Sequence, residues 1–360
     1  MRILFGIQGT GNGHLSRCYR IASELAKLPV QVDYVISGRR PNQLFDTAVF
    51  GNYQTKSGLT FITENGRVRP IKTLAKNSLP GFVREVRELD VSGYDLVVSD
   101  FEPVTAWAAK LAGKRCIGIG RQYAFKDAAL YSRLSRWQRF IIDRFAPADE
   151  WLGMHWQPLS GCLPPVVREH QVGALSSKQV LVYLPFENLY NIVDALLPFS
   201  GFSFTIFHPA INRAKYFASD HVLGLPPSRH AFAEQLALAD GVIANAGFET
   251  TCEALNQAKH LAVKPLAGQF EQHWNAKLLA QEQRAAVLPS IDEHDIGHWL
   301  ANGLSGERPA PLRWSNVAEP IAQWLVDGCR QTKDELRNSL WNGSPGWIRT
   351  NDTWINSPPL

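Results

Sequence analysis

A histidine and an aspartate each follow a strand pattern in the first half of the chain. His14 comes directly after the glycine-rich run 9–13, which follows a predicted strand over 2–7 and opens a predicted helix. A neutral imidazole at a helix amino terminus can accept a proton, because the helix dipole disfavours its protonated form. Asp100 follows a strand at 95–99, and the carboxyl ends of parallel strands share one edge of a sheet. The pair predicts a general base, His14, oriented by the carboxylate of Asp100. A polar surface histidine and an N-cap aspartate are the alternatives.

The glycine-rich run also predicts a binding loop. Backbone amides and a helix amino terminus converge there, which suits an anion or a sugar hydroxyl and makes Gly11, Asn12 and Gly13 candidate binding residues. A tight strand-to-helix turn without a ligand is the alternative. The glycine spacing does not match the dinucleotide pattern G-x-G-x-x-G, and the pattern G-x-x-x-x-G-K-[ST] is absent. A nicotinamide-dependent oxidoreductase is therefore disfavoured.

A longer pattern lies in the second half of the chain, over residues 242–276. A strand ends there at a turn of small residues, and a helix with two hydroxyls in its first turn follows. Free backbone amides with these hydroxyls form a cradle for a diphosphate, and an acidic residue one turn later suits a ribose diol. The residues expected to bind a nucleotide sugar are Gly247, Phe248, Thr250, Thr251, Glu253, Glu271 and Gln272. An ordinary strand-turn-helix without a ligand is the alternative.

This pattern resembles that of the two-domain UDP-sugar transferases with the GT-B fold, which include the peptidoglycan GlcNAc transferase and the small-molecule glucosyltransferases. Their motif runs roughly H-G-G-x-x-S/T-x-x-E-A and then D/E-Q-x-x-N-A. The positions that match it are Gly247, Thr250, Glu253, Ala254, Glu271, Gln272, Asn275 and Ala276. The whole chain is similar to a group of glycosyltransferase-like proteins of bacteria and archaea. The resemblance implies two Rossmann-like domains facing a cleft, with His14 as base and Asp100 as its partner.

Composition and periodicity predict two α/β domains with doubly wound parallel sheets. With 360 residues the chain is too long for one ordinary core, and short β-branched runs alternate with helical patterns in both halves. We expect an acceptor-side domain at 1–160, a nucleotide-sugar-binding domain at 161–328 and a partly disordered tail at 329–360. The run Gly346–Asp352 in this tail resembles an accidentally translated transfer-RNA gene.

The composition also excludes several classes of function. A net charge of +4 spread over the chain does not predict a nucleic-acid partner. The five cysteines are far apart and never spaced C-x-x-C, so neither a disulfide framework nor a metal site is expected. The amino terminus lacks a signal-peptide pattern and no apolar run approaches 18 residues, which favours a cytoplasmic protein.

The sequence thus predicts a metal-independent, inverting glycosyltransferase without a cofactor. Its donor would be a nucleotide-diphosphate sugar, expected to be a UDP-sugar, and its acceptor a glycan, a lipid or a small molecule. A sugar-nucleotide 2-epimerase and a non-catalytic nucleotide-sugar or glycan-binding protein are the alternatives. Asn245 and Ala246 replace the usual His-Gly, and Glu249 adds negative charge near the expected diphosphate.

A stripe of apolar residues with nearby arginines lies within 125–145 and leaves open a peripheral contact with the inner face of the plasma membrane. A core-facing helix with a solvated basic side is the alternative to this membrane contact.

Overall fold

The computed structural model is an alternation of strands and helices, and it describes residues 1–60, 63–69, 73, 77–168, 178–304, 306–345, 347–350 and 353–356. Within these residues the strands are β1 (Arg2–Gln8), β2 (Gln31–Ser37), β3 (Gln54–Lys56), β4 (Thr63–Glu64), β5 (Arg67–Val68), β6 (Leu96–Asp100), β7 (Cys116–Gly120), β8 (Glu150–Met154), β9 (Cys162–Leu163), β10 (Gln179–Tyr183), β11 (Ser203–Phe207), β12 (Lys215–Tyr216), β13 (Val222–Leu225), β14 (Gly241–Asn245), β15 (His260–Lys264), β16 (Ala286–Val287), β17 (Trp347–Thr350) and β18 (Thr353–Asn356). The helices are α1 (Asn12–Leu25), α2 (Leu79–Glu88), α3 (Pro103–Leu111), α4 (Arg121–Ala124), α5 (Ala128–Tyr131), α6 (Arg136–Arg144), α7 (Leu189–Leu196), α8 (Arg229–Leu238), α9 (Phe248–Asn256), α10 (Phe270–Gln281), α11 (Glu293–Asn302), α12 (Ala318–Val326) and α13 (Lys333–Asn342).

The first of two compact units is assembled from three segments of the chain, Met1–Phe61, Pro70–Arg168 and Trp314–Leu360. Its sheet has the strand order β3-β2-β1-β6-β7-β8-β9, and all neighbouring strands run parallel. β1 is buried from its second residue onward, as expected for a strand with helices on both faces. The strand order reverses between β1 and β6. Ligands of open α/β sheets bind at the carboxyl ends of the strands beside such a reversal.

The second unit consists of Ile62–Arg69 and Glu169–Arg313. Its sheet has the order β12-β13-β11-β10-β14-β15-β16, in which β12 runs antiparallel to β13 and the other described pairs are parallel. Its core is made of apolar side chains, most of them aliphatic, from the central strands and from helices α7 and α11. Here the strand order reverses between β10 and β14, so the edge where these two strands end is the expected ligand edge of this unit.

The predicted fold class is confirmed, since both units are doubly wound and their sheets are dominated by parallel strands. The units differ from the expected boundaries in two places. The short hairpin β4–β5, from the first half of the sequence, belongs to the second unit, and the segment from Trp314 onward returns to the first. Helix α13 lies in the segment expected to be a partly disordered tail, and it buries Leu336, Leu340 and Trp341. Residues 346, 351–352 and 357–360 of that segment lie outside the described residues.

The apolar stripe predicted within 125–145 does not lie on one helix. Asp127 caps α5, and Ser135 with Gln138 forms a capping box that starts α6, so the chain is divided into separate helices. Leu130 and Leu134 are therefore buried, whereas Trp137 is exposed. Among the described residues, no helix combines the length and apolar character needed to cross a bilayer.

Candidate functional site

In the first unit, the structure brings His14 and Asp100 together at the ligand edge of the sheet. β1 and β6 are adjacent, and their register places Ile7 beside Asp100. His14 lies in the first turn of α1, which follows β1 after a short loop. Its Nδ1 atom is 2.7 Å from Oδ1 of Asp100. The predicted pair therefore sits where the strand order reverses, with the carboxylate fully buried and the imidazole partly exposed.

Arg17 is a third member of this cluster, which the sequence reasoning missed. Its Nε donates to Oδ2 of Asp100 at 2.9 Å, and its Nη2 donates to Oδ1 at 2.6 Å. The Cys18 thiol donates to Oδ2 as well, at 2.8 Å. Burial on its own would raise the pKa of Asp100, but the charges of Arg17 and His14 hold that pKa well below its usual range. Asp100 is therefore ionised at neutral pH, and its carboxylate is held by hydrogen bonds from neighbouring side chains.

A neighbouring segment completes the surroundings of the imidazole. The Nε2 atom of Gln122 is 3.3 Å from Nε2 of His14, on the side of the ring away from Asp100. Gly120, at the end of β7, leaves room for the ion pair, since a Cβ atom there would lie 2.8 Å from Nη2 of Arg17. If Nδ1–H of His14 donates to Asp100, Nε2 carries the lone pair that a base requires. The arrangement can thus accept a proton at Nε2.

The predicted binding loop joins the end of β1 to the start of α1. Asn12 accepts a hydrogen bond from Arg39 at 2.7 Å, so its side chain helps to hold the loop beside the end of β2. None of the glycines at 9, 11 and 13 has a positive φ. Glycine is required at position 9 by close approach, because a Cβ atom would lie 2.8 Å from the carbonyl oxygen of Ser37. Gly11 is the N-cap of α1 and provides no side-chain cap for the first turn of the helix.

In the second unit, the turn between β14 and α9 leaves helix amides without a side-chain cap. Gly247 is the N-cap, and Phe248 begins the helix with its ring buried. Thr250 is half-buried. The hydroxyl of Thr251, in contrast, donates to the Gly247 carbonyl at 2.7 Å and is directed back into the helix. Of the two hydroxyls predicted to bind the diphosphate, only that of Thr251 donates to the helix backbone in this way.

The remaining predicted sugar-binding residues lie on α9 and α10. Glu253 is half-buried on α9, and Glu271 and Gln272 are buried in the first turn of α10. The Gln272 side-chain oxygen accepts the Leu266 amide at 3.0 Å, which fixes the loop after β15. Asn275 is also fully buried, and its amide group donates to the carbonyl of Ala246 at 3.0 Å. Gln272 and Asn275 therefore hold the two loops that border the ligand edge.

Two doubly wound parallel sheets with polar residues at the carboxyl ends of their central strands are the features expected of the GT-B fold. The model of Glycosyl transferase family 1 matches residues 1–140 and 153–303, and the chain belongs to this family. No curated protein matches the chain significantly in sequence.

Solved structures with a similar fold include glycosyltransferase SnogD from Streptomyces nogalater, at 15% identity and a TM-score of 0.52 over 91% of this chain and 99% of SnogD. The spinosyn rhamnosyltransferase SpnG is 14% identical, with a TM-score of 0.58 over 94% of this chain and 97% of SpnG. The Streptomyces sp. SF2575 glycosyltransferase SsfS6, complexed with thymidine diphosphate, is 16% identical, with a TM-score of 0.54 over 90% of this chain and 99% of SsfS6. At these identities the similarity shows the fold alone.

Proposed function

We propose that the protein is an inverting glycosyltransferase in which His14 deprotonates the acceptor hydroxyl. The observation that carries this proposal is the 2.7 Å contact between His14 Nδ1 and Asp100 Oδ1 at the ligand edge of the first sheet. Inversion by direct displacement needs one base, which takes the proton as the hydroxyl attacks the anomeric carbon. Asp100 holds the tautomer with a lone pair on Nε2 and stabilises the imidazolium that forms. Arg17 keeps Asp100 ionised and fixed in place.

The donor is a nucleotide-diphosphate sugar, bound by the second unit. The uncapped amides at the start of α9 and the hydroxyl of Thr250 are suited to a diphosphate, and Glu253 to a ribose diol. Glu271 accepts hydrogen bonds from hydroxyl groups of the sugar. The nucleobase is uracil or thymine: the UDP-sugar transferases share the motif of this segment, and SsfS6 has been crystallised with thymidine diphosphate. Helix amides, hydroxyls and side-chain cations replace a metal ion at the leaving group.

A specific surface favours a lipid-linked acceptor at the inner face of the membrane. Trp137 and Phe140 are 67% and 55% exposed on α6, and their rings stack at 5.5 Å. Arginine side chains at 133, 136 and 144 are also exposed around them. Aromatic rings bordered by arginines suit an anionic lipid surface, where each basic residue contributes about 1 kcal/mol.

Sedimentation with vesicles tests this membrane contact. The full chain should bind vesicles that contain phosphatidylglycerol and not those of phosphatidylcholine alone. Replacing both Trp137 and Phe140 with Ser should abolish binding. Tyr190→Ser, which changes an exposed ring of the second unit, is the control and should have no effect. Equal binding by all three proteins would contradict the contact.

The enzymatic proposal is tested by a donor screen followed by kinetics of His14→Ala. A nucleoside diphosphate at 100 times its dissociation constant should stabilise the full chain by about 2.7 kcal/mol, measured as a thermal shift. With the donor so identified, His14→Ala should lower turnover by about 10²–10⁴-fold and leave donor affinity within about twofold, because general-base catalysis acts in the transition state. Wild-type turnover in the variant would remove the assigned role of His14.

A non-catalytic nucleotide-sugar-binding protein is the second candidate, favoured by one observation. Glu249 lies in the first turn of α9, where its negative charge opposes a developing diphosphate. Such a protein would bind a nucleotide sugar without transferring or hydrolysing it. Release of nucleoside diphosphate from the bound donor would rule this candidate out.

A further inference from the structure

Three polar side chains meet at the ligand edge of the second unit. Glu187 follows β10, Asn245 ends β14 and Lys264 ends β15. The ammonium of Lys264 donates to Oε1 of Glu187 at 2.6 Å, and both side chains are largely buried, at 16% and 10% exposed. The amide nitrogen of Asn245 is 3.0 Å from the Lys264 carbonyl and 3.5 Å from the same Glu187 oxygen. The ion pair thus lies beside the reversal of strand order, where ligands of such sheets bind.

The hairpin β4–β5 fixes the carboxylate of this ion pair. Its two-residue turn, Asn65-Gly66, has positive φ at both positions, as a type I′ turn requires. The hairpin docks by backbone hydrogen bonds, with the Gly66 amide donating to Phe186 and the Ala267 amide donating to Gly66, each at 2.8 Å. A Cβ atom at Gly66 would lie 2.2 Å from a carboxylate oxygen of Glu187. The glycine therefore allows the hairpin to pack directly on the carboxylate.

The ligand edge also carries an unsatisfied acceptor. Asn245 is 5% exposed, and its Oδ1 atom is buried without a hydrogen-bond partner among the described residues. Both acceptors near Asn245 are contacted by its nitrogen, which leaves Oδ1 on the other side of the amide group. An acceptor buried without a donor costs about 1–3 kcal/mol unless a ligand or a water molecule supplies one. This is the kind of atom that a bound hydroxyl satisfies.

The start of α9 supplies little charge for a diphosphate. Thr251 is turned back to the helix and Glu249 is acidic, so the amides stand beside a negative side chain. Lys264 is a side-chain cation that lies close to this turn, because it pairs in register with Asn245, which precedes the N-cap by two residues. Neighbouring strands are about 4.8 Å apart, a distance that a lysine side chain spans easily.

We propose that Lys264 is the cation that binds the diphosphate of the donor, and that Glu187 is a positioning residue that holds its ammonium at the ligand edge. This inference rests on the proposed donor. When the diphosphate enters, the ammonium is shared between its oxygens and Glu187, and a donor hydroxyl reaches Oδ1 of Asn245. The negative charge of Glu187 opposes the ligand, so the same residue that positions Lys264 also limits how tightly the leaving group is held.

Two substitutions with opposite expected effects test this assignment in the full chain. The measured quantity is the affinity for dTDP or UDP relative to thymidine or uridine, from calorimetry for the diphosphates and competition for the nucleosides. Lys264→Met should lower this ratio by about 10- to 100-fold, since a hydrogen bond to a charged group contributes roughly 1.5–3 kcal/mol. Glu187→Gln should raise the ratio by about three- to tenfold, because it removes a repulsive charge. Lys215→Met, at an exposed edge strand, is the control and should not change it.

The outcomes separate the inference from the proposed function. If the wild-type chain binds neither dTDP nor UDP, the donor assignment fails and the inference fails with it. If it binds them and Lys264→Met keeps the wild-type ratio, the inference is overturned while the donor assignment stands. A ratio that falls in both Lys264→Met and Glu187→Gln would overturn the opposing role of Glu187. Removal of one partner of a buried ion pair can impair folding, so the double variant Glu187→Gln/Lys264→Met, which buries no unpaired charge, is measured as well. It should also show a lower ratio than the wild-type chain.

Discussion

Replacing Gly120 with alanine should disrupt the cluster of His14, Arg17 and Asp100 without changing any of its members. Gly120 has φ 131° and ψ 179°, a backbone conformation that is essentially restricted to glycine. The added Cβ atom would lie 2.8 Å from Nη2 of Arg17 and 3.1 Å from Oδ1 of Asp100. Since both neighbours are fully buried, the guanidinium has to shift and its hydrogen bonds to the carboxylate lengthen.

The expected cost follows from these two effects. A residue other than glycine in this backbone region costs about 1–3 kcal/mol. Losing one charge-assisted hydrogen bond between Arg17 and Asp100 adds about 1.5–3 kcal/mol. We therefore expect the free energy of unfolding to fall by roughly 3–5 kcal/mol, a large share of the 5–15 kcal/mol that is typical of native proteins.

Urea unfolding of the full chain, with Gly113→Ala as the matched control, measures this cost. Gly113 belongs to the same unit and also has a positive φ, but nothing lies within 4 Å of its added Cβ atom. In Gly113→Ala, the free energy of unfolding should fall only by the cost of the backbone conformation, about 1–2 kcal/mol. If Gly120→Ala unfolds at the same urea concentration as Gly113→Ala and keeps wild-type turnover, the packing of the cluster is not what the glycine protects.

Three further substitutions test the interactions around the two candidate sites. Because the pKa of Asp100 is lowered in the folded chain, its stabilising effect is complete above the unfolded pKa of about 3.9 and is lost as the pH falls below it. In Asp100→Asn, the free energy of unfolding should therefore fall less steeply between pH 5 and pH 2 than it does in the wild-type chain. Arg17→Met leaves the carboxylate with one cation fewer and should cost about 3–5 kcal/mol in urea unfolding; a cost below about 1 kcal/mol would contradict the buried pair. Asn275→Leu removes the donor to Ala246, so it should lower the free energy of unfolding by about 1–3 kcal/mol and also lower the affinity for dTDP. Lys277→Leu, at an exposed position of the same helix, should change neither quantity.

The fold was predictable where the chain has strong periodicity. The strands predicted at 2–7 and 95–99 lie within one residue of β1 and β6, because buried parallel strands are continuous apolar runs. The strands β9, β12 and β16 were missed, since two residues carry no period. Helix α13 had a readable signal, the capping box of Thr332 and Glu335. The return of α12 and α13 to the first unit is set by tertiary packing and has no local signal.

The candidate sites were predictable to the extent that they follow strand ends. His14 and Asp100 could be paired because each follows a strand of one sheet, and Arg17 could have been added, since it lies three residues after His14 on the same helix face. The pairing of Glu187 with Lys264 spans 77 positions and could not be read from either segment alone. Gln272 and Asn275 match a binding motif, yet their side chains hold backbone groups of neighbouring loops.

The division of the first unit into separate segments has a consequence for how the nascent chain folds. Helix α1, which carries His14, packs against α12, and the buried indole of Trp341 donates to the carbonyl of Cys162. At about 5–20 residues per second, the ribosome needs on the order of ten seconds to make the intervening second unit. During that time the first 168 residues have been made, but the part of α1 that packs against α12 has no cover. We expect the helix that carries the base to be protected by chaperones until translation is nearly complete. A nonsense mutation just after Arg313 should therefore disrupt the site of His14 and Asp100, although that site lies near the other end of the sequence.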